Sequence, residues 1–338
     1  MTPTQRAILT SIGVKLGDFP KSIDLDYSKP PKLVMTLTQD AAGFSNPINM
    51  QDTRACFEAW CLIIKAKTSN PDLEIELDVK NITAADYDGK LPKNGHLGRF
   101  LYRILKFSEQ YKYWFKLSTA LGKIKDKFQN YLDTNSFVTS APSGAPKKDI
   151  ANYNLESYVE YLFCDSISAQ KDILGLPSGT TIDRQLPVSL FDATKSSTNG
   201  VFTCGKSAID FWALNGDTIN VYELKSDNPM VGIITEIFFY SNYVHDVFIS
   251  KSLDHGKGSV EIEDGTYRSY DKIGGKQVMG IMLSNSNRKG WHSSLDAPSR
   301  TKIKGIMNKN GMPGAIQYEF LEYKLNQLKI GGYYISEN

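Results

Sequence analysis

The sequence predicts an α/β protein: a mixed sheet flanked by helices in the C-terminal part, preceded by a mostly helical α+β N-terminal domain. Three observations predict it. Residues 207–225 hold two apolar runs on either side of Asn215-Gly216, a dipeptide that tolerates positive φ and closes tight β-hairpins. Residues 152–170 and 229–248, on either side of that hairpin, carry apolar residues at helical spacing. A small, proline-bearing, unpatterned run, Thr139-Ser-Ala-Pro-Ser-Gly-Ala-Pro-Lys-Lys148, reads as a linker and divides residues 1–140 from 141–338.

A chain of 338 residues is long enough for two domains with their own cores. Net charge is +2, so any attraction for a polyanion must come from a local basic surface. Cys56, Cys61, Cys164 and Cys204 form no CxxC pair and have no histidine at zinc spacing, which suits reduced thiols in a cytoplasmic protein. The first ten residues hold no signal-peptide apolar region, and no apolar run approaches a membrane span, so no membrane partner is expected.

In chain order, Leu33–Thr38 reads as a strand after the Pro30-Pro31 break, and residues 41–47 as a loop. Asp52 is placed to cap a helix with Ala55, Phe57, Ala59, Leu62 and Ile63 on its apolar side, ended by Asn70-Pro71. Leu73–Val79 alternates with period two, as a half-exposed strand does. Residues 97–132 are the most amphipathic stretch. Leu97, Leu101, Ile104, Tyr111 and Phe115 form an apolar stripe, continued by Leu121, Ile124 and Phe128. Arg99, Arg103 and Lys106 follow at i, i+4 and i+7, then Lys112, Lys116, Lys123 and Lys127, opposed between 97 and 127 only by Glu109 and Asp126. That pattern suits a basic helical face laid along a phosphate backbone; the plainer alternative is a solvated lysine face.

Beyond the linker, residues 152–170 place Leu155, Val159, Leu162 and Phe163 on one helical face, with Glu156 and Glu160 one turn apart. Thr180–Leu190 reads as an edge strand because it contains Pro187. After the hairpin, Asp227 or Asn228 would cap a helix with Pro229 at its first position, running to about Phe248. Gln277–Leu283 and Ala315–Leu321 are later strands, separated by a basic segment with Arg288, Lys289, Arg300, Lys302 and Lys304.

The hairpin carries the chemistry. Asp210 lies on its first strand. Glu223 and Lys225 lie two apart on the second and so leave the same face of the pleat. Around them the strands are apolar: Ile209, Phe211, Trp212, Ile219, Val221 and Leu224. Three charges in such a setting are costly without compensation, and Mg²⁺, which takes one or two carboxylates with water and phosphate, supplies it. The alternative is a buried ion-pair cluster with no chemistry.

Asp210, twelve residues, then Glu223-Leu224-Lys225 resembles the PD-(D/E)XK, or restriction-endonuclease-like, nuclease superfamily, with Ile209 where the motif's name has proline. The resemblance implies a restriction-endonuclease-like sheet over 141–338, and a Mg²⁺-dependent endonuclease (Mn²⁺ substituting) that hydrolyses phosphodiester bonds. DNA is expected rather than RNA, in a restriction or defence role, with room for a homodimer. It implies metal ligation by Asp210, Glu223 and the Leu224 carbonyl, with Lys225 orienting the attacking water. A glutamate from the preceding helix, Glu156 or Glu160, would join them. The basic residues Arg99, Arg103, Lys106, Lys112 and Lys116 would then contact nucleic acid. In one branch of that superfamily a Gln-x-x-x-Tyr pair lies on the helix after the motif; here Glu236 and Tyr240 hold those places.

Two other readings share these residues. One is a nucleic-acid-binding protein of the same fold without turnover. The other is a nucleotide hydrolase, because Gly200–Ser207 matches the phosphate-loop pattern GxxxxGK[ST]. That loop needs a strand before it and a helix after it, and only seven residues separate Ser207 from Asn215-Gly216.

Overall fold

A computed structural model describes residues 1–139, 154–203, 207–253, 275–310, 312, 314–327 and 333–337. The N-terminal half opens with α1 (Pro3–Ser11), β1 (Asp24–Lys29) and β2 (Lys32–Leu37). It continues through α2 (Phe57–Lys67), β3 (Glu74–Val79), α3 (Gly95–Gln110), β4 (Phe115–Leu117), α4 (Thr119–Thr134) and β5 (Phe137–Val138). The order β1-β2-β3-β4 makes a mixed sheet, with β2, β3 and β4 parallel and linked through α2 and α3. Parallel neighbours need such crossovers, so this half is built on α/β connections rather than as the helical α+β unit expected. Leu33, Met35 and Leu37 on β2, and Ile75, Leu77 and Val79 on β3, alternate with half-exposed residues and turn one face to the core.

The single amphipathic stretch expected over 97–132 is two helices broken at β4. Asn94 caps α3 by accepting the Leu97 N–H at 2.8 Å, and Ser118 caps α4. Asp52 is not the cap of α2, which starts after Cys56; Asp52 instead binds Arg54 side chain to side chain.

The second half contains α5 (Leu155–Asp165), β6 (Thr181–Pro187), β7 (Phe191–Asp192), β8 (Ala208–Asn215) and β9 (Thr218–Lys225). After these come α6 (Gly232–Val244), β10 (Gln277–Asn285), α7 (Ala297–Asn310), β11 (Ile316–Gln327) and β12 (Tyr333–Ser336). Six strands form a mixed sheet in the order β12-β11-β10-β9-β8-β6, parallel across β9, β10 and β11. The Pro187-bearing strand is at its edge, as proline requires. The hairpin turns on Gly216 and Asp217, one residue later than the expected dipeptide, because Asn215 still pairs with Thr218 and Gly216 takes the positive φ of 58°. Of the basic segment between the last expected strands, Arg300, Lys302 and Lys304 lie on α7, while Arg288 and Lys289 precede it.

Alternate residues of β9 and β10 enter two cores. Tyr222, Leu224, Ile281 and Leu283 meet Val159 and Phe163 of α5; Ile219, Val221, Val278 and Met282 meet α6. Every residue of α6 is buried, because α2 and α3 pack against it from the N-terminal half. Phe107 of α3 sits 5.4 Å from Phe238 of α6, ring centre to ring centre. A Cβ on Gly232 would lie 2.2 Å from the Gln51 carbonyl oxygen, and one on Gly98 1.8 Å from that of Val201. These close approaches draw the 49–51 loop onto the start of α6 and the 201–203 strand entry onto α3. The expected linker lies mostly outside the described residues, but the buried side chains on its two sides share one core.

Candidate functional site

Asp210 and Glu223 are neighbours across the hairpin, one step past the registered pair Phe211–Tyr222, on the face covered by α6. Asp210 Oδ2 accepts the Leu224 N–H at 2.8 Å, which fixes its carboxylate against the second strand. Lys225 ends β9 amid carboxylates: Glu223 at 2.7 Å, Glu236 of α6 at 3.1 Å and Glu156 of α5 at 3.5 Å. Asn154 caps α5 and so places Glu156 in its first turn.

The two helix glutamates part company. Glu160 is buried and bound by Arg184 at 2.7 Å and by Gln185 at 2.8 Å, both from β6. Glu156 instead offers a carboxylate oxygen to a group with Asp210 and Glu223, all within 4.8 Å of one another. Oxygens on one Mg²⁺ lie about 3–4 Å apart, so a small side-chain adjustment brings these three onto a common ion. Glu223 Oε2 is buried and has no hydrogen-bond partner among the described residues, as an oxygen suited to a cation would be. The donor set is all oxygen, as Mg²⁺ prefers.

Electrostatics agree. Burial, then mutual repulsion with Asp210 and Glu236, pushes the Glu223 carboxyl well above the usual range. Burial does the same to Asp210 and, more mildly, to Glu156. For Lys225 burial acts downward, but Glu223, Glu236, Asp210 and Glu156 outweigh it and hold the ammonium protonated. Four carboxylates thus face two cations, Lys225 and Arg99, in one cleft of about 380 Å³. With all four ionised, the surplus of two negative charges would match a divalent ion.

The cleft is shared between the halves of the chain: Asn49, Gln51, His96 and Arg99 line it from one, Gln185, Ser207, Glu236 and Tyr240 from the other. His96 and Gln185 carry no sequence signal that marks them, and Ser207 was visible only as the end of the phosphate-loop pattern; His96 arrives through the approach of α3 to residues 201–203, and Gln185 on β6. Glu236 and Tyr240 were visible as a one-turn pair, and the structure puts both beside Lys225.

The expected basic face is a correction. Arg103 is buried and makes two 2.6 Å contacts with Glu58, and Lys106 is bound to Asp246 at 2.6 Å. Both point inward because the polar residues that match them lie on α2 and just after α6. Lys112 and Lys116 are exposed, but in the turn after α3 and on β4, not on a helix. Arg99 lies in the cleft itself. Of the phosphate-loop pattern, residues 204–206, Lys206 among them, lie outside the described residues; Ser207 leads into strand β8, so the helix that such a loop needs does not follow.

Cys56, Cys61 and Cys164 are free thiols, while Cys204 and His255 lie outside the described residues. No helix among the described residues is long and apolar enough to cross a membrane. Comparison with family models, with curated proteins and with solved structures finds no match for this chain.

Proposed function

We propose that the cleft is the active site of a Mg²⁺-dependent endonuclease acting on DNA, on a restriction-endonuclease-like sheet. One observation carries the reading: Asp210, Glu223 and Lys225 meet at the open end of one hairpin, and Glu156 joins them from the preceding helix. Glu156, Asp210 and Glu223 would hold the ion, with the Leu224 carbonyl beside them; Mn²⁺ would serve in its place. Bound there, the metal would polarise the phosphoryl oxygens and lower the pKa of a water.

The chain's own groups do the rest. Lys225, kept protonated by its carboxylates, orients the attacking water and meets the charge that develops on the phosphorane. Tyr240, whose hydroxyl burial and the nearby carboxylates hold protonated, is a hydrogen-bond donor at the cleft wall. Glu236 fixes the ammonium from the far side. A restriction or defence role would use the N-terminal half to choose the target.

Incubation with plasmid and with single-stranded DNA in Mg²⁺ or Mn²⁺ tests this. Nicking is expected, and Asp210→Asn and Glu223→Gln should each remove it. Lys225→Ala should reduce turnover by a factor of roughly 10²–10³, the loss typical of one positioned charge at a developing oxyanion. Wild-type cleavage by either carboxylate variant would sink the assignment. DNA binding without any cleavage would favour a non-catalytic binding protein.

A further inference from the structure

Arg99 is anomalous among the basic residues of α3. Its side chain is buried, 4 % exposed, yet among the described residues it makes no ion pair, only the two contacts that follow. Nη1 donates to Ser207 Oγ at 2.8 Å and Nη2 lies 3.2 Å from His96 Nδ1. Nε is buried with no partner. A guanidinium carries five N–H donors, so most of the fork remains unused. Burial pushes its pKa down to about 10, and it is still a full cation at neutral pH. Arg103, one turn on, is fully paired, so an unpaired arginine here is not how α3 treats its arginines generally.

An unpaired buried cation is costly unless an anion completes it, and arginine's planar fork matches phosphate in two-point geometry. Arg99 lines the same cleft as the carboxylates and sits in the first two turns of α3, where the helix dipole also favours negative charge. Its anchor, Ser207, lies three residues before Asp210, so about 10 Å separates the two along an extended chain. Among the described residues Arg99 makes no hydrogen bond or ion pair with Asp210, Glu223, Glu156 or Lys225, so it stands apart from that group within the same cleft.

We infer that Arg99 forms a second anion subsite in the cleft, one that holds a phosphate flanking the bond to be cut. The inference rests on the nuclease reading for its substrate, but not for its anion. It makes the substrate a polynucleotide rather than a single nucleotide. It also makes the N-terminal half part of the catalytic cleft.

Two measurements test it. The first uses inorganic phosphate alone, titrated against the full chain and followed by calorimetry. Arg99→Gln should weaken binding about ten- to a hundred-fold, the range for hydrogen bonds to a charged group. Arg99→Lys should restore part of it, while Lys32→Ala, on β2 and outside the cleft, should leave it unchanged. Equal phosphate affinity in wild type and Arg99→Gln overturns the inference. If Arg99→Gln does not fold, Ser207→Ala, which frees Nη1 without removing the cation, takes its place, and unchanged phosphate affinity there counts against the subsite.

The second measurement uses oligonucleotides bearing one neutral methylphosphonate, moved along the strand. A single flanking position should slow wild-type cleavage, raising KM more than it lowers kcat, and the same substitution should leave Arg99→Gln unaffected. Sensitivity that persists undiminished in Arg99→Gln overturns the inference. Arg99-dependent phosphate binding in a protein that cuts no DNA supports the subsite while removing the nuclease reading.

Discussion

Two groups of buried charge lie side by side on the same helices. Arg103 and Arg99 are one turn apart on α3; Thr235 and Glu236 are adjacent on α6. In the first group Arg103 meets both oxygens of Glu58, a second donor reaches the Ala55 carbonyl at 2.7 Å, and Thr235 adds a hydrogen bond at 3.1 Å. Charge is balanced and the guanidinium stacks 5.0 Å from the Phe57 ring. In the second group the carboxylates outnumber the cations, Glu223 Oε2 and Arg99 Nε are left without partners, and a cleft opens onto them. Burial alone therefore does not separate the two groups. An unbalanced sum of charge with room beside it does.

The largest expected effect breaks the closed group. Arg103→Met leaves the Glu58 carboxylate buried with only Thr235 for company, and should cost about 3–5 kcal/mol in denaturant unfolding. A loss under about 1 kcal/mol would mean that the pair is not what α2 and α3 share.

The open group should respond in the opposite direction. Asp210→Asn replaces a buried carboxyl whose ionised form the fold disfavours, so the metal-free protein should melt at the same temperature or a few degrees higher. A clear drop in melting temperature would make this a structural ion cluster like its neighbour.

The smallest effect sharpens the contrast through pH. Asp210, Glu223 and Glu156 have raised pKa values in the fold, so the native state binds more protons than the unfolded chain. Their contribution is fully present below about pH 4, the unfolded range, and is lost as pH rises towards their folded values. Melting curves from pH 5 to 8 should show this loss without metal, and Mg²⁺ should flatten it by binding the ionised form. The double variant Asp210→Asn/Glu223→Gln should keep only the shallower part of the slope that Glu156 supplies and should lose the Mg²⁺ effect.

How much of this was legible depends on distance along the chain. The hairpin was, because period-two alternation and a glycine turn are local signals. So was the closeness of Asp210, Glu223 and Lys225, which follows from pairing two adjacent strands. The choice of Glu156 over Glu160 was not: both sit one turn apart on α5, and what separates them is Arg184 arriving from β6. Arg103 and Lys106 misled for the same reason. Basic residues at i, i+4 and i+7 resemble a solvent face until Glu58, 45 residues away, is brought against them. The start of α6 was read three residues early, since Pro229 suits a first helical turn but Gly232 is what the Gln51 carbonyl demands. The parallel connections of the first sheet were hidden by the brevity of β4, three residues long.

The complete covering of α6 reaches beyond the site. This helix packs on β9 and β10 of the second sheet with one side and against α2 and α3 with the other, so the halves of the chain supply its two sides. A polypeptide cut between Val138 and Asn154 would leave α6 on one fragment and Phe107, Gln51 and Arg99 on the other. Each fragment alone would present an apolar face to water, so the two would behave as an obligate heterodimer rather than as independent modules. Separate genes for the two pieces would then encode one cleft, completed only on assembly.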